Sequence, residues 1–259
     1  MKAGNTKHNV NKLSLRESSG NSEKMRFIDR FEVVLLDMGR TFMFNVDRFD
    51  KDDDFRATYR KAGGNRLRSR EVFQIVSEIF HQMVADGKKP GNYDNFSSVL
   101  TYLKRHPKSA QLPADEIAIL EEVFSEHEAG TIPQAYVSVL RQLYKTHRLG
   151  IVSDIWSHSE RFYQELTRVG IRGLFEAIVF SSDIGIIKPS PKIFQKALET
   201  FGVDVSKVVY IGDSLRRDVA GAKSLGMAAV WIQQDQVSEK DISVKPDLII
   251  SDLQDVLLV

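Results

Sequence analysis

The sequence predicts an α/β protein: a doubly wound parallel sheet with an all-helical insertion after its first strand. Three observations support this. Six short apolar runs show no polar alternation, as strands buried on both faces require. Helical patterns separate the later runs, the rhythm of a parallel sheet. Roughly 100 residues lie between the first run and the second, far more than a simple crossover needs, so the stretch is expected to be a domain of its own.

In chain order, FEVVLL opens the sheet at Phe31 and ends at Asp37; RLGIVS ends at Ser153, AIVFSS at Ser182, KVVYIG at Gly212, AAVWI lies around Val230, and DLIIS ends at Ser251. In IFQKALETF, Ile193, Phe194, Ala197, Leu198 and Phe201 share one helical face behind Ser190 and Pro191, good first-turn residues. Ser157 and Glu160 form a capping-box pattern before Phe162, Leu166 and Val169, and Gly170 is placed to end that helix. The insertion's clearest helix is EVFQIVSEIFHQMV, with Val72, Ile75, Val76, Ile79, Phe80 and Met83 on one stripe and His81 opposite, facing solvent. Further helical patterns surround Leu100 to Leu103 and Ile117 to Phe124. The expected organisation is a tail over 1–25, a core from 26–45 and 131–259, and a helical cap over 46–130. The tail is rich in Asn, Ser and Lys and is expected to be disordered, with Met25 a candidate start.

Composition narrows the chemistry. With 36 basic and 35 acidic residues the net charge of +1 draws no polyanion, so nucleic acid is not expected as a partner. The 259 residues contain no cysteine, which excludes disulfides and thiolate sites and leaves carboxylates and histidines as the strong metal ligands. No apolar stretch approaches the roughly 20 residues a membrane span needs, so a cytoplasmic protein without a membrane partner is expected. Oligomeric state is not legible. G-x-G-x-x-G and G-x-x-x-x-G-K-[ST] are both absent, which weighs against a dinucleotide enzyme or a P-loop NTPase.

In an open parallel sheet, ligands bind beyond the carboxyl ends of the strands. Those ends carry Asp37-Met38-Gly39-Arg40-Thr41, Ser153-Asp154 and Gly212-Asp213-Ser214, while Lys188-Pro189 follows the third run. Two carboxylates, a hydroxyl and a lysine around one crevice are the parts that bind a phosphoryl group and Mg²⁺. The ordered segments VLLDMGRT, IVSD, GIIKPSPKIF and VVYIGDSLRRDVAGAKSLGM resemble subfamily I of the haloacid-dehalogenase-like hydrolases over roughly residues 32 to 252.

That resemblance implies a Rossmann-like core and a capped, Mg²⁺-dependent phosphatase for a small phosphorylated metabolite. It makes Asp37 the nucleophile that forms an aspartyl-phosphate. It makes Asp37, Asp213 and the Gly39 carbonyl the metal ligands, with Asp218 helping to hold the ion and its waters. Ser153 and Lys188 would serve both catalysis and phosphate binding, and Thr41 and Asp154 would shape the phosphate pocket.

The chain departs from the family at Gly39, where its phosphatases usually carry an aspartate acting as general acid and base. Glycine keeps the backbone ligand and removes the proton shuttle, which is worth about 10² to 10⁴ in rate. Anhydrides, acyl phosphates and aryl phosphates, which depart without protonation, would then be favoured. Alternatively the cap supplies the acid, with Asp52, Asp53, Asp54, His106 and His127 as possible donors. Two competing readings stay open: a non-catalytic regulator or binding protein on the same fold, and a haloacid dehalogenase, against which Asp213 argues because a carboxylate facing Asp37 needs a cation.

Overall fold

A computed structural model of the chain describes residues 25–234 and 244–259. The expected tail, apart from Met25, lies outside the described residues. The six strands are β1 Val33–Leu36, β2 Arg148–Ser153, β3 Phe175–Phe180, β4 Val208–Gly212, β5 Ala228–Ile232 and β6 Leu248–Ile250. All pairings are parallel, in the order β3-β2-β1-β4-β5-β6. The chain winds outward from β1 in one direction and then from β4 in the other, so the β1/β4 junction is the topological switch point at which α/β sheets bind ligands.

Along β1, Val34 and Leu36 enter one apolar core and Val33 and Leu35 the other, all four fully buried. This two-sided burial explains why the strands read as uninterrupted apolar runs. Leu36 is level with both Ile151 and Ile211, which brings the chain beyond β1, β2 and β4 to one edge.

The helices are α1 Phe55–Lys61, α2 Ser69–Asp86, α3 Val99–Arg105, α4 Ala114–Glu128, α5 Gln134–Leu143, α6 Glu160–Arg168, α7 Ser181–Ile184, α8 Pro191–Phe201 and α9 Ala220–Ser224. The first four form the insertion, whose own apolar core gathers Val72, Ile75, Val76, Ile79 and Met83 of α2 with Val99, Leu103, Leu120 and Phe124. His81 is exposed, as its position opposite the α2 stripe predicts. Ile187 and Trp156 from the sheet side complete that core. Backbone hydrogen bonds from Phe96 N–H to Gly185, Ile187 N–H to Tyr93 and Val99 N–H to Trp156 hold the insertion against the sheet edge.

The insertion leaves and rejoins the sheet domain through a paired neck. Phe44 and Thr131 exchange backbone hydrogen bonds, Asp47 N–H donates to the Glu128 carbonyl, and Arg48 N–H to that of His127.

Two local expectations are corrected. The Ser157–Glu160 capping box does not form, because the Ser157 hydroxyl donates to Glu128 and Ser159 occupies the N-cap position. The third strand ends at Phe180 rather than Ser182, since Ser181–Ile184 turn into α7 and the Ser181 hydroxyl bonds the Ile155 backbone. The amphipathic α5, not identified from sequence, packs through Val137 and Leu140 on the sheet.

Candidate active site

The parallel register delivers Asp37, Ser153 and Asp213 to one crevice, and the segment after α7 returns Lys188 to the same place. The pocket of about 130 Å³ is lined by all four together with Gly39 and Asp154. Asp37 Oδ1 accepts from the Ser153 hydroxyl at 2.8 Å and pairs with Lys188 Nζ at 2.8 Å. Lys188 is buried and also pairs with Asp218 Oδ1 at 2.7 Å; the Lys188 backbone N–H donates to Asp154 Oδ1 at 3.0 Å.

Asp218 comes from a π-helical turn, Leu215–Val219, that runs into α9. Its Oδ2 accepts from Ser214 N–H at 2.9 Å. Gly212 is required by this approach: a Cβ there would stand 2.5 Å from Asp218 Oδ2. A residue not identified from sequence, Tyr210, completes the anchor. Its hydroxyl donates to the Val152 carbonyl at 2.7 Å and accepts from Lys188 Nζ at 3.1 Å.

Oxygens of Asp37, Asp213 and Asp218 lie within 4.8 Å of one another. Burial, reinforced by repulsion from Asp218 and Asp37, pushes Asp213 up to about 7. Burial opposes the Lys188 charge, but Asp218, Asp37 and Asp154 outweigh it and hold the ammonium above its ordinary range. Three carboxylates and one ammonium leave two negative charges, matched in sign and size to a divalent cation. The oxygen donors suit Mg²⁺.

The remaining candidates divide. Asp154 lines the pocket, and burial raises it to about 6 against the pull of Lys188 and Arg217. Thr41 is buried, and its Oγ1 has no partner among the described residues. None of Asp52, Asp53, Asp54, His106 and His127 lines the pocket. Asp54 caps α1, His106 bonds Glu78, and His127 bonds Thr58 and the Arg48 carbonyl. Sequence reasoning missed Arg40, Asp47 and Arg217, which line the pocket. Arg217 lies inside a quoted motif, and its neighbour Asp218 was the signal; nothing local marks Asp47.

Asp47 sits in the neck with φ of +54°, a left-handed conformation uncommon outside glycine. Solvent reaches the residue through the pocket mouth, yet protein crowds its carboxyl, and this desolvation raises its pKa over the opposing pull of Arg217 and Arg40. Nearby Glu128 is fully enclosed. It accepts from Trp156 N–H at 2.6 Å, Ser157 N–H at 2.9 Å and the Ser157 hydroxyl at 2.5 Å, and burial still pushes it up to about 7.

A second cavity of about 570 Å³ opens beside the first. It shares Arg40, Asp47, Asp154 and Arg217 with the pocket and is walled by Phe80, Val84 and Lys88 of the insertion and by Trp156.

Among known proteins, the chain is similar to a glyceraldehyde 3-phosphate phosphatase of Pyrococcus furiosus, at 35% identity over 37% of this chain and 40% of that protein. It is also similar to a phosphoserine phosphatase of Thermus thermophilus, at 35% identity over 37% of this chain and 38% of that protein. The chain thus spans about two fifths of the length of these curated relatives. Two solved structures share the fold at 23% identity. A HAD phosphatase from Thermococcus onnurineus matches with a TM-score of 0.58 over 87% of this chain and 95% of that one. A 2-haloacid dehalogenase from Pseudomonas syringae matches with a TM-score of 0.62 over 88% and 98%. The sequence profile of the haloacid dehalogenase-like hydrolases matches residues 94–232, more than half of the chain, and with the six-stranded sheet it establishes that the protein belongs to that family.

Proposed function

We propose that this chain is a Mg²⁺-dependent phosphatase that hydrolyses a small phosphorylated metabolite through an aspartyl-phosphate on Asp37. The observation that carries the reading is the set of Asp37, Asp213 and Asp218 around Lys188, two positive charges short of neutrality. The Asp37 and Asp213 carboxylates and the Gly39 carbonyl would hold Mg²⁺, with Asp218 steadying Lys188 and the ion's waters. The bound ion would offset the charge repulsion between Asp37 and the incoming phosphate.

The Ser153 hydroxyl and Lys188 both engage Asp37 Oδ1, which orients the carboxylate and leaves Oδ2 to approach phosphorus in line. Lys188 then lies where charge accumulates on the phosphoryl oxygens during transfer. The larger cavity receives the remainder of the substrate, so residues 46–130 act as a cap that selects it and excludes water over the core formed by 26–45 and 131–259.

Phosphate release from alkyl, aryl, acyl and anhydride phosphates, with and without Mg²⁺, tests the proposal in wild type and Asp37→Asn. Metal-dependent release abolished by Asp37→Asn is expected. A wild type silent on every substrate would overturn it in favour of a regulatory or binding role, the reading that Gly39 keeps open.

A further inference from the structure

The pocket lacks an acid at residue 39 but not an acid altogether. A Cβ on Gly39 would meet only Val46 Cγ2, at 3.9 Å, so the space over that position is bounded by the residue preceding Asp47. Asp47 itself lines the catalytic pocket beside Asp37 and Gly39 and also the larger cavity that receives the leaving group. A proton donor for phosphoryl transfer must stand at that boundary, where the bridging oxygen passes from one cavity into the other.

Among the other carboxyl groups lining the pocket, Asp37 and Asp213 are committed to the metal on the reading above, and the rest nearby are occupied. Asp154 is tied to the Lys188 backbone and faces Arg217 at 3.8 Å, and Glu128 accepts three hydrogen bonds. The Asp47 carboxyl has no hydrogen bond or ion pair among the described residues, although Arg40, Arg217, Asp37 and Glu128 act on it electrostatically. The neck holds its backbone in the left-handed region through Asp47 N–H to the Glu128 carbonyl at 3.1 Å.

We propose that Asp47, supplied by the neck of the insertion, is the general acid and base of this site in place of the missing side chain at Gly39. The assignment rests on the covalent reading above. In the first step Asp37 Oδ2 forms a bond to phosphorus as the bond from phosphorus to the leaving oxygen breaks, and the proton on Asp47 passes to that oxygen, releasing an alcohol. In the second, water attacks phosphorus and gives its proton to the Asp47 carboxylate, and the bond from phosphorus to Asp37 breaks, releasing phosphate. Alkyl phosphates thereby return to the substrate class.

The test uses glycerol phosphate, 4-nitrophenyl phosphate and acetyl phosphate with Mg²⁺, comparing wild type, Asp47→Asn and Asp47→Asn with Gly39→Asp. Asparagine tolerates the left-handed backbone, so the neck is preserved. The expected result is a loss of roughly 10²- to 10⁴-fold on glycerol phosphate for Asp47→Asn, regained in the double variant. With acetyl phosphate, Asp47→Asn should give a burst of acetate stoichiometric with enzyme, followed by slow phosphate release. An Asp47→Asn enzyme that matches wild type on glycerol phosphate, or that releases acetate and phosphate from acetyl phosphate in step with no burst, overturns the assignment while leaving Asp37 chemistry intact. A wild type silent on all three removes both the assignment and the reading beneath it.

Discussion

At the sheet edge, Asp37 is bonded by Ser153 and Lys188, and Lys188 in turn by Asp218 and Tyr210, in a buried network. Across the pocket, Asp47 stands on a strained neck residue, open to solvent, with its carboxyl unpaired among the described residues. The first wall is held by side-chain hydrogen bonds and ion pairs at close range. The second is held through its backbone, by the hydrogen bond from Asp47 N–H to the Glu128 carbonyl. On the proposed mechanism, phosphoryl binding and proton delivery fall to different parts of the chain, the sheet edge and the neck of the insertion.

The sharpest way to break this contrast is at the nucleophile. Asp37→Asn should lower phosphate release by roughly 10⁴-fold or more while leaving the melting temperature near that of wild type, because the amide can still accept from Ser153. Retention of turnover in that variant would refute the division outright. Next is Lys188→Met, which strands Asp37 and Asp218 as buried unpaired carboxylates. A stability loss of about 3 to 5 kcal/mol in denaturant titration is expected; a variant as stable as wild type would mean that the wall is not held by this charge.

The neck offers a pH-dependent counterpart. Glu128 has a folded-state pKa of about 7 against an ordinary value of 4.5, raised by burial. Its protonated form is therefore favoured on folding, so the stabilisation is complete below about 4.5 and is lost as pH rises through about 7. Wild type should lose up to about 3 kcal/mol of stability between those limits, at about 1.4 kcal/mol per pH unit, and Glu128→Gln should flatten that slope. Identical pH profiles for the two proteins would show that Glu128 does not titrate in this window.

The smallest expected effect is the most discriminating for substrate class. There is room for a side chain at residue 39, so Gly39→Asp should be accommodated. With Asp47 already present, it should raise alkyl phosphate turnover only about tenfold, and acyl phosphate turnover less. Equal effects on both classes would mean that neither residue acts by protonating the leaving group.

The legibility of the molecule follows the same division. The central strands could be read because two-sided burial removes polar alternation, the edge strands β3 and β6 because they stay apolar although partly exposed, and the residues of the first wall stand at strand ends or inside contiguous motifs. Ser157 misled because its hydroxyl is taken by Glu128, a partner 29 residues away that no local pattern reveals. The same holds for Asp47. Its location depends on pairing between residues about 80 positions apart and on left-handed backbone at Asn45 and Asp47, neither of which leaves a periodic or compositional trace. The expected donors are placed elsewhere: Asp54 caps α1, Asp53 accepts from Asp50 N–H, His106 bonds Glu78, His127 bonds Thr58, and Asp52 does not line the pocket.

The paired neck has a consequence for how such chains diversify. Because Phe44 with Thr131, and Asp47 with Glu128, hold the two ends of the insertion together, the intervening segment is a closed loop whatever its length. Closure entropy grows only logarithmically, by about 0.6 kcal/mol for each doubling of a flexible loop. Residues can thus be added to or removed from this segment with little penalty to the sheet, and each rebuilt lobe would present a new binding surface over the same Asp37.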